Sequence, residues 1–228
     1  MQIDIILNFL RDLSANNNRE WFVANRERYD AARSIFENIS NKLILGIGSF
    51  DKPILNVQPK DCLFRIYRDI RFSYDKTPYK THFGVYIAAH GGRKSEFAGY
   101  YLHLDPKGCF LCAGVWQPPP NNLKALRQAV YDNIDELNEI RADKQFKKYF
   151  SGFYDEDKLK TIPAGFPKDF PDADLLKLKH YLVEYPIDET MLNSENFCEK
   201  LVEIFKIAYP FNQFLNYTIF EQRAKIKE

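Results

Sequence analysis

The apolar residues of this chain change their spacing twice, and that change constrains the fold more than any other feature of the sequence. Ile3, Ile6, Leu7, Leu10 and Leu13 recur at helical intervals. After SANNN a second, long helix is expected, with Asn17 as its N-cap and Glu20 as the reciprocal capping-box partner. It carries Trp21, Tyr29, Ala32, Phe36, Ile39 and Leu43 on one side and should end near Gly46 and Gly48. The segments DCLFRIY, FGVYIAA, GYYLHL and CFLCAGVW are instead short, rich in β-branched or aromatic residues, and separated by the turn sequences DKTP, HGGRKSE and DPKG. Links this short favour antiparallel neighbours.

Helical spacing returns after QPPPNN. Asn122 suits the cap of a helix carrying Leu123, Leu126, Val130, Leu137 and Ile140, and a shorter helix follows through Phe146 and Phe150. TIPAGFPKDFP reads as an ordered loop, DADLLKLK as a short helix and HYLVEYPI as a further strand. Ser194 suits the cap of the last helix, which Pro210 should kink or split. Helices, then strands, then helices is the order of an α+β fold. The expectation is an antiparallel sheet of about four to five strands with N- and C-terminal helices packed on it. Residues 1–228 are read as a single domain.

The composition excludes several classes. Hydrophobic residues make up 45% and charged residues 28%, which permits a sizeable core and excludes global disorder. A net charge of +1 argues against a surface that attracts nucleic acid or acidic membrane as a whole. No apolar run reaches the roughly 18 residues of a membrane span. MQIDIILNFLRDL lacks the basic start and small-residue cleavage site of a signal peptide, so a cytoplasmic location and no membrane partner are expected. Cys109 and Cys112 form C-x-x-C on a predicted strand, where residues three apart face opposite ways. No second ligand pair accompanies them, and two small packed cysteines are the simpler reading. His82, His90, His103 and His180 are scattered, so neither a metal nor a cofactor is expected.

The neutral total hides a basic stretch. Lys60, Arg65, Arg68, Arg71, Lys76, Lys80, Arg93 and Lys94 face only Asp61, Asp69 and Asp75. Its centre is RIYRDIRFSYDKTPYKTHF, from Arg65 to Phe83. As a strand it would place Phe64, Ile66, Arg68, Ile70 and Phe72 on one face and Arg65, Tyr67, Asp69 and Arg71 on the other. Arg68 would then be buried with a carboxylate or would mark a bulge. On the following strands His82, Gly84 and Tyr86, then Tyr101 and His103, alternate with apolar residues, so one sheet face should be wet and aromatic.

Arg65, Arg68, Asp69, Arg71, Phe72, Asp75, Lys76 and Tyr79 compose R-x-x-R-D-x-R-F followed by D-K-x-x-Y. This signature resembles that of a widespread bacterial family of conserved hypothetical proteins, domain of unknown function 2461. NNNREWF, NRERY, YYLHLDP, GVWQP, GFPKDFPD and FKIAYPFNQFLN are similar to segments of the same family. The resemblance implies a single-domain plan of this length and supplies no activity. It adds Asn17, Arg19 and Trp21 as candidates for the same site, although helix capping explains Asn17 and core packing explains Trp21 equally well.

Guanidinium forks match phosphate and carboxylate oxygens, and nearby rings stack on bases or sugars. The expected function is therefore a binding module for an anionic small molecule or nucleic acid, through Arg65, Arg68, Arg71, Lys76 and Tyr79 on a sheet. One alternative is an enzyme acting on an anionic substrate, with Asp69 or Asp75 as base and Lys76 or Tyr79 as acid. The other is a protein-interaction or structural domain in which Arg65, Arg68 and Arg71 with Asp69 and Asp75 form an ion-pair network and Arg71 partners a buried aspartate. No protein partner is indicated.

Overall fold

In the computed structural model, which describes residues 2–227, the N-terminal stripe forms helix α1 (Gln2–Ala15). The long second helix is broken. Asn25 leaves helical geometry (φ −109°, ψ 23°) and separates α2 (Arg19–Ala24) from α3 (Arg26–Gly48). The N-cap of α2 is Asn18, whose side chain accepts from the Trp21 N–H at 2.9 Å; Asn17 is used elsewhere. A 3-10 turn (Lys52–Asn56) and the short α4 (Pro59–Cys62) follow.

The sheet has four strands in the order β1 (Phe83–Ile87), β2 (Gly99–Leu104), β3 (Cys109–Val115) and β4 (Tyr181–Ile187), and it is antiparallel. DCLFRIY is not one of them. Asp61 and Cys62 close α4, and beyond them only two isolated bridges form, Leu63 with Val85 and Tyr67 with Tyr79. The apolar alternation fails at its far end, because Phe72 is 95% exposed and anchors nothing. HYLVEYPI supplies β4 instead.

The remaining helices are α5 (Pro120–Asp132), α6 (Ile134–Ala142), α7 (Lys144–Tyr149), α8 (Ala173–Leu176), α9 (Glu189–Leu192) and α10 (Phe197–Lys227). Asn122 lies inside α5 and is buried, with its amide donating to Glu96 at 3.2 Å, while Pro119 precedes the helix. The Ser194 hydroxyl turns to the Asn196 side chain. Pro210 sits within α10 without splitting it. No helix among the described residues is long and apolar enough to cross a membrane.

The chain forms two compact units, one of residues Met1–Lys94, Tyr101–Leu111 and Pro186–Glu203, the other of Ser95–Tyr100, Cys112–Tyr185 and Ile204–Glu228. In the first, Ile6, Leu10 and Leu13 of α1 are buried together with Phe36 and Leu43 of α3. Phe9 and Phe36 bring their rings to 6.4 and 5.3 Å from Phe83 at the start of β1. In the second, Leu126, Val130, Leu137, Phe146 and Val183 share the interior with Phe205, Phe211 and Leu215 of α10. Asn212 and Asn216 tie that part of α10 to the chain by donating to the carbonyls of Gly99 and Ala98, both at 3.0 Å. Gly114 is required where it stands: its φ is +123°, and a Cβ would lie 2.1 Å from the Tyr181 carbonyl oxygen.

Candidate functional site

The signature forms a loop that pairs back on itself ahead of β1. Its backbone closes through Arg68 N–H to Pro78 O at 2.9 Å and Lys80 N–H to Ile66 O at 2.7 Å. Asp75 begins a turn by accepting from the N–H and hydroxyl of Thr77 at 2.9 and 2.8 Å. Arg68 donates to Asp75 and to Thr77, so its guanidinium bolts the two sides of the loop together. The Arg68 side chain is half-buried, 26% exposed, and its carboxylate partner Asp75 is itself exposed, so the pair is not the buried one expected. The Lys76 ammonium donates to Ile70 O at 3.0 Å.

Arg71 and Asp69 make a forked pair, Nε to Oδ1 at 2.9 Å and Nη2 to Oδ2 at 2.6 Å. Their side chains are 76% and 46% exposed, so Asp69 is not the buried carboxylate that the structural-network expectation required. The Arg71 guanidinium holds the Asp69 carboxyl below its ordinary range. The Thr77 N–H, then Arg68, hold Asp75 down to about 2. Carboxylates so stabilised in their charged form are weak bases. Between these pairs Phe72 and Tyr74 point outward, 95% and 106% exposed.

Asn17 joins the N-terminal helices to the signature. Its amide donates to Tyr79 O at 2.9 Å and its carbonyl accepts from Tyr79 N–H at 3.1 Å, as a partner strand would. The Tyr79 ring is buried and stacks on Phe22 at 4.0 Å, and burial raises its hydroxyl pKa. Arg19 is exposed on α2 and its charge reaches the Tyr79 hydroxyl. Trp21 is half-buried, 6.1 Å from Phe9 and with Arg28 5.9 Å above its ring; its ring contacts are with the N-terminal helices and not with the signature arginines. Arg65 is exposed, and its charge is felt by Asp69 and by Lys80. The signature arginines thus stand on a loop and not on a sheet face.

The wet sheet face exists, and it is occupied by other groups. Tyr101 and His103 of β2, His82 just before β1, and Phe110 of β3 are all half-buried. The Tyr101 hydroxyl and His103 Nδ1 are hydrogen-bonded at 2.9 Å. His103 stacks on Phe110 at 4.4 Å, and its ring centre is 4.4 Å from that of His82. Gly84 makes room for this arrangement, since a Cβ there would meet the Tyr101 hydroxyl at 2.7 Å. Burial, aided by Lys80, lowers the pKa of His82, and burial beside His82 takes His103 down to about 4. Asp105, just past β2, comes within 3.9 Å of His103 Nε2.

A family model described as conserved hypothetical protein (DUF2461) matches residues 5–214. The chain belongs to that family. No curated protein and no solved structure matches the chain. The DUF2461 match spans Asn17, the whole signature and the histidine face.

Sequence reasoning alone missed the exposed Phe72 and Tyr74 and the role of Thr77. It placed His103 and Tyr101 on one polar face by alternation. His82 was read on the same kind of polar position, but Asp105 in the turn DPKG was not singled out, and the approach of the three depends on how β1 and β2 pair.

Proposed function

We propose that this DUF2461 chain is a binding module for an anionic, phosphate- or carboxylate-bearing partner, nucleic acid included. One observation carries the reading. Arg68 and Arg71 are taken up by Asp75 and Asp69, whereas Arg65, Lys76 and Lys80 make no ion pair among the described residues. These three cations belong to the segment that exposes Phe72, Tyr74 and Tyr67. The paired arginines brace the loop, the unpaired cations attract the anion, and the exposed rings offer a stacking surface. Lys80 supports this reading because burial and the nearby Arg65 charge lower its pKa, a cost that a bound anion relieves.

The test is a thermal-shift and fluorescence-anisotropy screen with nucleotides, phosphosugars, carboxylate metabolites and a labelled single-stranded oligonucleotide. Binding should weaken steeply as salt rises and be lost in Arg65→Ala/Lys76→Ala. Binding that ignores both salt and this double variant, or no binding at all, overturns the reading. A purely structural signature is the second reading, favoured by the closed Arg68–Asp75–Thr77 set. Under it, Arg68→Ala lowers stability and no anion shifts the melting temperature.

A further inference from the structure

We propose that His82, His103 and Asp105 form a site for a divalent transition-metal cation, zinc foremost. One ligand atom from each residue lies within 4.8 Å of the other two. Two imidazoles and a carboxylate are a donor set for Zn2+ and its first-row neighbours, and not for Mg2+ or Ca2+, which prefer all-oxygen shells. Around a zinc ion such atoms stand about 3.3 Å apart, given metal–ligand distances of about 2.0–2.1 Å in a tetrahedral shell. The cluster therefore needs to tighten by up to about 1.5 Å.

Two further features fit a ligand role better than aromatic packing. First, the surroundings orient His103. Tyr101 engages Nδ1 at 2.9 Å and Phe110 stacks on the ring, while Nε2 is directed toward Asp105 without reaching hydrogen-bond distance at 3.9 Å. In the tautomer whose Nδ1–H donates to the Tyr101 hydroxyl oxygen, the Nε2 lone pair is left for a metal, and Tyr101 is the outer partner that metal-bound histidines usually have. Second, Asp105 is held in place and lacks a cation. Its Oδ1 accepts the Lys107 N–H at 2.8 Å, its side chain is 15% exposed, and no lysine or arginine pairs with it among the described residues. A carboxylate this withdrawn from water calls for a positive partner. The charge opposing a metal is that of Lys80, two residues before His82.

Three protein ligands leave part of the coordination shell open to water or to an anion. The site does not depend on the signature loop binding anything.

The experiment is a titration of the dialysed full chain with Zn2+ and, separately, Co2+, followed by calorimetry and by visible ligand-field absorption. The expected result is one ion per chain, with the intense Co2+ bands of a low-coordinate nitrogen and oxygen shell. Binding should weaken at least about tenfold in Tyr101→Phe and further in Asp105→Asn and His103→Ala. His90→Asn, which suits the left-handed backbone at that position (φ 59°), should bind as the parent does. Absence of uptake by the parent chain overturns the site. So does uptake undiminished in Asp105→Asn, a near-isosteric change that decides the matter even if His103→Ala fails to fold.

Discussion

His180 and His103 are both withdrawn from water, and only one of them is finished. His180 is 3% exposed. Its Nδ1 accepts the Gln117 N–H at 2.9 Å, its Nε2 meets Asp157 at 3.0 Å, and Trp116 stacks on it at 3.9 Å. Every polar atom of that ring has a partner within its own unit. The His103 side chain is 14% exposed, with Nδ1 engaged by Tyr101 and Nε2 3.9 Å from a carboxylate it does not bond. The same residue type is closed in one place and open in the other. The arginines repeat the contrast: Arg68 and Arg71 are spent on carboxylates, and Arg65 is not. Closed polar groups hold a fold in one arrangement, and open ones can still bind something.

The contrast is broken most directly by removing each histidine. His180→Ala deletes a stacked, buried ring and strands two hydrogen-bonding groups, so urea unfolding should show a loss of about 3–4 kcal/mol. His103→Ala gives up one hydrogen bond and a half-buried stack, and the same measurement should show about 1 kcal/mol. Equal losses would mean that His103 is as closed as His180.

Acid sharpens the same comparison. His103 has a folded pKa of about 4 against 6.5 when exposed. The unfolded chain therefore takes up the proton first. The stability from a neutral His103 is full above pH 6.5, drains away between 6.5 and about 4, and is gone below that. The difference corresponds to about 3 kcal/mol. His82, lowered in the same sense, adds to the slope. Asp75, at about 2 against 3.8, contributes stability that is lost only as pH falls from 3.8 toward 2. Urea midpoints at pH 7, 5 and 4 should fall steeply for the parent and much less for His103→Phe. Parallel curves would show that the proton goes elsewhere.

Asn17 tests a closed group outside the ring systems. It makes two hydrogen bonds to the backbone of Tyr79, so Asn17→Ala should cost about 2 kcal/mol by chemical denaturation. A change within error would mean that Tyr79 is held by its stack on Phe22 alone.

Most of the helices and all four strands were legible because burial imposes a period, and a period is local; the error was one strand too many, at DCLFRIY. What was not legible was decided by partners far along the chain. Asn17 and Asn18 are the same residue side by side, and only the position of Tyr79 makes one a clamp and the other a cap. Asn25 breaks a helix whose apolar stripe runs on past it. The signature alternates like a strand as far as Phe72, yet its backbone pairs with its own far side, and Arg68, Asp75 and Thr77 join the two halves across that loop. The charges were visible as a cluster. Which of them cancel was not, since that depends on a turn geometry set by two hydrogen bonds to Asp75.

The smallest expected effect is the most discriminating for the signature. Had Asp69 been buried, truncating Arg71 would leave an uncompensated charge and destabilise the chain severely. Both side chains are largely in water, where forked geometry gives little net stability because water competes and salt screens. Arg71→Ala should therefore leave the denaturation midpoint unchanged within error. Its loss should instead appear in solution charge, because it frees Asp69 beside Arg65 and lowers the positive field of the loop by one. If the loop binds anions, Arg71→Ala weakens that binding and flattens its salt dependence while stability stays put. If stability falls and binding does not, the forked pair is part of the brace, and Arg71 belongs with Arg68 among the closed groups.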